Sequence, residues 1–531
     1  MFKNKCYFRV FLCFCLIIAL LFACAIRIFT INNQNYADVH TQSNSYLLNL
    51  SRLRGTIFDC NMKPLTNNNA KTVSAFLPTE AAIMAASDLE KEKSDNILAS
   101  LKNGTPALAE TDNSIDCFGV YSTTVYENTS SNLLAPQLIG YLDSEGHGVT
   151  GLQKAYDNIL YSPLYQSIAF ATDGLGNIIT GAQINEINDK SVINSGIALT
   201  LDSDIQLITL NALKGITCGA AVVSEVGSGK IRAMVSVPEF NPTKIKEYLD
   251  APNSPLINRA VSAYNVGSVF KPCVSAAGIE SGYQTNYTVN CVGYTQIGGN
   301  NFKCHNIAGH GIVDIVKATA FSCNSFFYNY AINIGAEAVY KMASKLHFTS
   351  GYQICNGITA NADITNINTL KNNPRALANL SIGQGELLLS PVSILSLYEA
   401  IANEGVYYPQ TIIEGTVTNG AIKHQEKTAP TRVMSKKTAN ILKEHLKSVI
   451  DYGTGTSAKP QLTTAAGKTA TAQTGWQKND RLIQNSWFCG FFPYDNPKYV
   501  VSVLVEDSLG SDDIGAPVFA KICDGITTLK R

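Results

Sequence analysis

The chain has no excess of charge of either sign: 41 lysines and arginines balance 41 aspartates and glutamates. A nucleic-acid surface needs a basic patch or stripe, and without a polybasic run no nucleic-acid partner is expected. There is no glycine-rich phosphate loop, internal repeat or low-complexity segment, so nucleotide cradles and repeat architectures have no signal. The fourteen cysteines follow neither a small disulfide scaffold nor paired Cys-x-x-Cys ligands. Cys291, Cys304, His305 and His310 share an irregular stretch, but their spacing does not suit a zinc knuckle. No metal and no cofactor are expected.

At 531 residues with 45% hydrophobic content, the chain fits two or three domains with sizeable cores. Lys3, Lys5 and Arg9 precede an apolar run from Val10 to Ile26, closed by Arg27. That run of about 17 residues is at the short end for a membrane-spanning helix. Leu21-Phe22-Ala23-Cys24 resembles a lipoprotein cleavage site, but Phe22 is bulky where a small residue is wanted. The expectation is an uncleaved single-pass anchor at 10–26. Residues 1–9 would stay in the cytoplasm and the bulk outside, because the positive charges lie before the run. Residues 28 to about 50, rich in Asn, Gln and Ser, are expected to form a stalk.

The chemistry centres on Tyr264-Asn265-Val266-Gly267-Ser268-Val269-Phe270-Lys271-Pro272. Ser268 and Lys271 are one helical turn apart and share a face. Serine needs an adjacent base to act as a nucleophile, and lysine is a base only where burial or neighbouring cations remove its proton. Gly267 lets the chain turn tightly, placing Ser268 at a helix start where free amides can stabilise an oxyanion. On its own the pair is equally a chance spacing on a solvated helix. Two later stretches decide between these: Ser322-Cys323-Asn324, after an apolar helical run, and Lys468-Thr469-Ala470-Thr471 in a β-like segment.

Ser-x-x-Lys, Ser-x-Asn and Lys-Thr-Gly, in that order, are the motif set of penicillin-binding proteins and serine β-lactamases. With Asn258-Arg259-Ala260 and Ser381-Ile382-Gly383-Gln384-Gly385, the chain resembles the class B penicillin-binding proteins. Two further segments extend the resemblance over nearly the whole chain. Arg54 to Leu65 is similar to the box that opens the family's pedestal domain, with Cys60 and Met62 in place of arginine and glycine. Gly148 to Asp157 is similar to a second pedestal motif, with Gln153 in place of glutamate. Both boxes are expected to be structural.

The resemblance implies an α/β (α+β) fold. A β-lactamase-like transpeptidase domain at 196–531, an antiparallel sheet flanked by helices, would follow a stalk and α+β pedestal at 27–195. It also implies roles. Ser268 is the nucleophile and Lys271 its base; Ser322 passes the proton to the leaving amine, and Asn324 holds the acyl chain. Lys468 keeps Lys271 neutral and, with Thr469 and Thr471, attracts the substrate carboxylate. The amides of Ser268 and Thr471 form the oxyanion hole. Ala470 replaces the motif's glycine, and its methyl group is expected to crowd the cleft and slow acylation. Implied partners are peptidoglycan stem peptides, β-lactams and a membrane glycan polymerase, since no glycosyltransferase motif is present. A β-lactam hydrolase or sensor, a D,D-carboxypeptidase, and a low-activity scaffold for the polymerase are the alternatives. For Cys323 two outcomes stay open: a free buried thiol, or a bond to Cys304.

Overall fold

In the computed structural model the described residues are 14, 16–27, 45–283, 286–426, 429–478, 480–508 and 514–529. Residues 16–27 are helical. Among the described residues no helix is long and apolar enough to cross a membrane, and most of 1–15 lies outside them, so the expected anchor is only partly described. The chain forms two compact units: Met1–Leu53, Ala70–Tyr126 and Pro163–Asp189 in one, the remainder in the other.

The first unit has a three-stranded sheet with Asn69–Phe76 between Ala107–Thr111 and Val120–Glu127. The helices Glu80–Ser87 and Lys91–Lys102 bury Ala82, Ala86, Ile97 and Leu101 against Phe76. A second sheet begins with Ser45–Arg54. The expected stalk therefore gives way to a strand by residue 45. Ala107–Thr111 is rich in alanine and glutamate, so composition gives it no strand signal.

The second unit is organised on a five-stranded antiparallel sheet. Its strands are β1 (Gly219–Glu225), β2 (Ile231–Val237), β3 (Ala466–Lys478), β4 (Arg481–Phe492) and β5 (Tyr499–Ser508), in the order β2-β1-β5-β4-β3. The runs Ala220-Ala221-Val222-Val223 and Val500 to Val505 are apolar on both faces because both faces are covered. Ala221, Val223, Val501 and Val503 pack against α1 (Ser203–Ala212) and α7 (Gly515–Thr527) through Ile205, Phe519 and Ile522. Ala220, Val222, Val500 and Leu504 meet the other layer, which contains α2 (Lys271–Glu280), α3 (Ile315–Ala320), α4 (Asn324–Ile334), α5 (Pro391–Ala402) and α6 (Lys436–Asp451). Each fully buried Val, Leu or Phe contributes about 1.5–3 kcal/mol. Asp202 caps α1 by accepting from the amides of Asp204 and Ile205, at 3.0 and 3.1 Å.

The two boxes fold within this second unit. Thr56–Phe58 pairs with Gly196–Ala198, and Asp59 turns the chain by accepting from the amides of Asn61 and Lys63, each at 2.8 Å. Arg54 is buried at 2% exposure. It donates to Gln153 Oε1 at 2.8 Å, Gly146 O at 2.9 Å and Asp157 Oδ1 at 2.8 Å. Gln153 is a neutral acceptor here, so Asp157 is the carboxylate that matches the arginine. With a further bond to Gln153 O at 3.1 Å, these contacts spend the guanidinium on structure.

Candidate active site

The first motif is a turn followed by a helix. Gly267 takes φ +62°, a left-handed conformation that glycine alone adopts without strain, and Gly267–Phe270 forms a 3-10 turn that runs into α2. Ser268 is half-buried at the head of this turn, whereas Lys271 is fully buried. The glycines of Ser381–Gly385 have a physical reason: Gly267 N–H donates to Gly383 O at 2.9 Å. A Cβ on Gly383 would lie 1.9 Å from Gly267 O.

The second motif leaves the end of α3. Ser322 takes φ +55°, costing about 1–2 kcal/mol for a residue with a side chain. Cys323 N–H donating to Ala318 O at 2.9 Å holds the turn. The strain aims Ser322 and Asn324 at Lys271, whose Nζ donates to Ser322 O at 2.7 Å, Ser322 Oγ at 3.1 Å and Asn324 Oδ1 at 2.7 Å. Ser322 Oγ is also 3.0 Å from Ser268 Oγ. The bonded path from nucleophile to amine thus runs through Ser322, a refinement of the direct serine–lysine pairing read from spacing.

Burial pushes Lys271 down to about 7; Cys323 and Cys304 pull the other way. The first cause is desolvation, not a neighbouring cation. Lys468, also fully buried, has its Nζ 3.0 Å from Thr469 O. Thr469 Oγ1 lies 2.8 Å from Thr454 Oγ1, and Thr454 is a site residue that no sequence signal marks. Thr471 is exposed on the same strand. A cavity of about 890 Å³ opens over these groups, bounded also by Tyr328, Gln384, Gln473 and Gln484.

Ala470 lines the cavity beside Gly267. Lys468, Ala470 and Ala472 alternate on the buried face of β3. A Cβ on Gly267 would lie 3.2 Å from the Ala470 Cβ, so the methyl group meets the nucleophile's turn.

Of the two outcomes open for Cys323, the structure has the free buried thiol. Cys304 and Cys323 are free and buried, their sulfurs 4.0 Å apart, twice a disulfide length. Hydrogen bonding between them draws Cys304 down and pushes Cys323 up. His310 Nδ1 is 3.6 Å from both Cys291 Sγ and Cys304 Sγ, and the four ligand atoms lie within 4.8 Å of one another. With metal–sulfur and metal–nitrogen bonds of about 2.0–2.3 Å, a tetrahedral zinc ion spaces its ligands by about 3.5–3.8 Å, so Cys291, Cys304, Cys323 and His310 could hold one. Spacing between 291 and 310 could not include the fourth donor, which arrives from the second motif.

Residues 219–524 match the family described as the penicillin binding protein transpeptidase domain. Among curated proteins, the chain is 29% identical over 409 residues to penicillin-binding protein PbpB of Mycobacterium tuberculosis, covering 72% of this chain and 58% of that protein. It is 27% identical to stage V sporulation protein D of Bacillus subtilis, covering 89% and 77%. Peptidoglycan D,D-transpeptidase MrdA of Acinetobacter baumannii is 27% identical, covering 70% and 60%. The chain thus spans about three fifths of the first and third of these proteins. Among solved structures, the D,D-transpeptidase domain of a peptidoglycan glycosyltransferase from Eggerthella lenta superposes with TM-score 0.65 at 23% identity, over 90% of this chain and 98% of that one. Penicillin-binding protein 3 of Mycobacterium tuberculosis complexed with aztreonam gives 0.64 at 25%, over 91% and 96%.

Proposed function

Because the chain belongs to the penicillin-binding protein transpeptidase family, we propose that it is a peptidoglycan D,D-transpeptidase working through an acyl-serine intermediate and inhibited by β-lactams. The observation that carries the reading is the continuous path Ser268 Oγ–Ser322 Oγ–Lys271 Nζ, ending on a buried amine near neutrality.

With Lys271 neutral, the chain of hydroxyls points towards the amine. Ser268 Oγ attacks the carbonyl between the two terminal D-alanines, and its proton moves to Ser322 as the Ser322 proton moves to Lys271. The amides of Ser268 and Thr471 receive the oxyanion. The peptide bond breaks as the same path returns the proton to the departing D-alanine nitrogen, leaving an ester on Ser268. An amine of a neighbouring stem peptide then attacks the ester and gives up its proton along the path. Ser268 regains a proton and a cross-link is released. Asn324 holds the acyl chain, while Lys468, Thr469 and Thr471 receive the terminal carboxylate. A β-lactam enters the first half-reaction and stays on the ester.

The run Val10–Ile26 serves as a single-pass anchor with the catalytic domain outside, and a membrane glycan polymerase supplies the strands. The basic residues Lys3, Lys5 and Arg9 before the run support that orientation. External protease on intact spheroplasts should release all but the first 30 or so residues; protection of the whole chain would reverse it.

Fluorescent penicillin tests the catalytic reading. Stable labelling, located on Ser268 by mass spectrometry and abolished by Ser268→Ala, is expected. Rapid turnover of the label would make the protein a hydrolase, and no label would make it a scaffold.

A further inference from the structure

We propose that the Ala470 methyl group is a positioning element for Ser268, the spacer that holds the nucleophile's turn at a set distance from β3. The proposal rests on the acyl-serine reading and adds a role that the motif glycine cannot play.

Four observations converge on the turn. From the β3 side, a Cβ on Gly267 would lie 3.2 Å from the Ala470 Cβ and 3.3 Å from the Ala472 Cβ, so these methyls bound the space beside the glycine. From the opposite side, Gly383 O accepts from Gly267 N–H at 2.9 Å. Trp487, directly opposite Ala470 in β4, donates from Nε1 to Asn265 O at 3.0 Å and ties the segment entering the turn to the same sheet. Tyr398 donates to Val269 O at 3.0 Å on the segment leaving it. The turn is therefore fastened before, behind and after Ser268, and on the β3 side two methyl groups face it.

The separation matters because the two oxyanion donors ride on the two elements it divides. Ser268 N–H belongs to the turn and Thr471 N–H to β3, next to Ala470. Glycine at 470 would leave a methyl-sized void under Gly267 and loosen the strand. Turn and strand could then shift against each other at the point where donor placement counts most. The expectation from sequence, that the methyl obstructs substrate, reverses in sign.

The experiment is acylation of the full-length protein by fluorescent penicillin, with the binding constant separated from the limiting acylation rate, alongside Tm. Ala470→Gly should lower the limiting rate roughly tenfold, leaving the binding constant nearly unchanged and lowering Tm only slightly. Ala470→Val cannot open a void; it should slow the same step by forcing the turn away, so the test survives if the glycine variant does not fold. Gly267→Ala should slow acylation, and adding Ala470→Gly should recover part of that loss, because it vacates the space the new Cβ needs.

An equal or faster limiting rate in Ala470→Gly overturns the proposal. So does a change confined to the binding constant, which would place the methyl in the cleft. A parent that takes no label on Ser268 removes the acyl-serine reading and the proposal with it, whereas a labelled parent with unaltered variants removes the proposal alone.

Discussion

Two buried cations in the same unit are treated in opposite ways. Arg54, 2% exposed, meets a carboxylate, a side-chain amide and backbone carbonyls, and has an acceptor for each face of its fork. Lys271, fully buried, meets two neutral side-chain oxygens and one carbonyl, with no carboxylate among its hydrogen-bond partners. Removing a charge from water costs several kcal/mol in either place. At Arg54 an ion pair at 2.8 Å with Asp157 offsets that cost. At Lys271 it is left to act on the proton, and the amine falls to about 7. Arginine cannot make that exchange, because its guanidinium does not deprotonate in a protein. The sequence uses the fixed charge where geometry must be held and the labile one where a proton must move.

The strongest way to break this contrast is to remove each cation. Lys271→Met should cut the limiting rate of penicillin acylation by about 10²–10⁴-fold, with a smaller change in Tm than Arg54→Met. Arg54→Met should do the opposite: it strands Asp157 and should cost about 3 kcal/mol by denaturant unfolding, while the acylation rate of the folded protein stays within severalfold. If both variants lose activity and stability together, the two sites are one cooperative network and the contrast fails.

A gentler test is titration. The competent form of Lys271 is the neutral amine, and its folded pKa lies near 7. The acylation rate should therefore rise through about pH 7 and fall roughly tenfold per unit below it. A flat profile between pH 5 and 9 would mean that another group accepts the proton. Asp157 has the opposite sign. Partial burial raises it, but hydrogen bonds from His147, the Gly148 amide and Arg54 win, and it ends below the usual carboxylate value. Its share of stability is present above the unfolded carboxylate pKa near 4 and is lost as pH falls below that. Asp157→Asn should flatten the acid limb of a Tm–pH curve. The smallest effect expected is from Thr454→Ala, which removes the partner of Thr469 Oγ1 at 2.8 Å. It should weaken penicillin binding by a few-fold and leave the limiting acylation rate alone.

The sequence by itself determined whatever depends on neighbours along the chain. The largely apolar runs of β1 and β5 are written in the chain itself, because a strand covered on both faces needs no polar alternation. Gly267 was readable because a left-handed turn demands a particular residue type. The three motifs carried the chemistry in residue types and local spacing. Tertiary structure decided what depends on which surfaces meet. Ser322 lies 54 positions from Ser268, and nothing local says that it stands between the nucleophile and the amine. The cysteine–histidine cluster joins an irregular stretch to the second motif, so no spacing rule could count its four donors. Alternation along β3 puts Ala470 on one face with Lys468, but only packing brings that face beside Gly267 at the wall of the cavity. Period-two geometry specifies faces, and the fold chooses what each face touches.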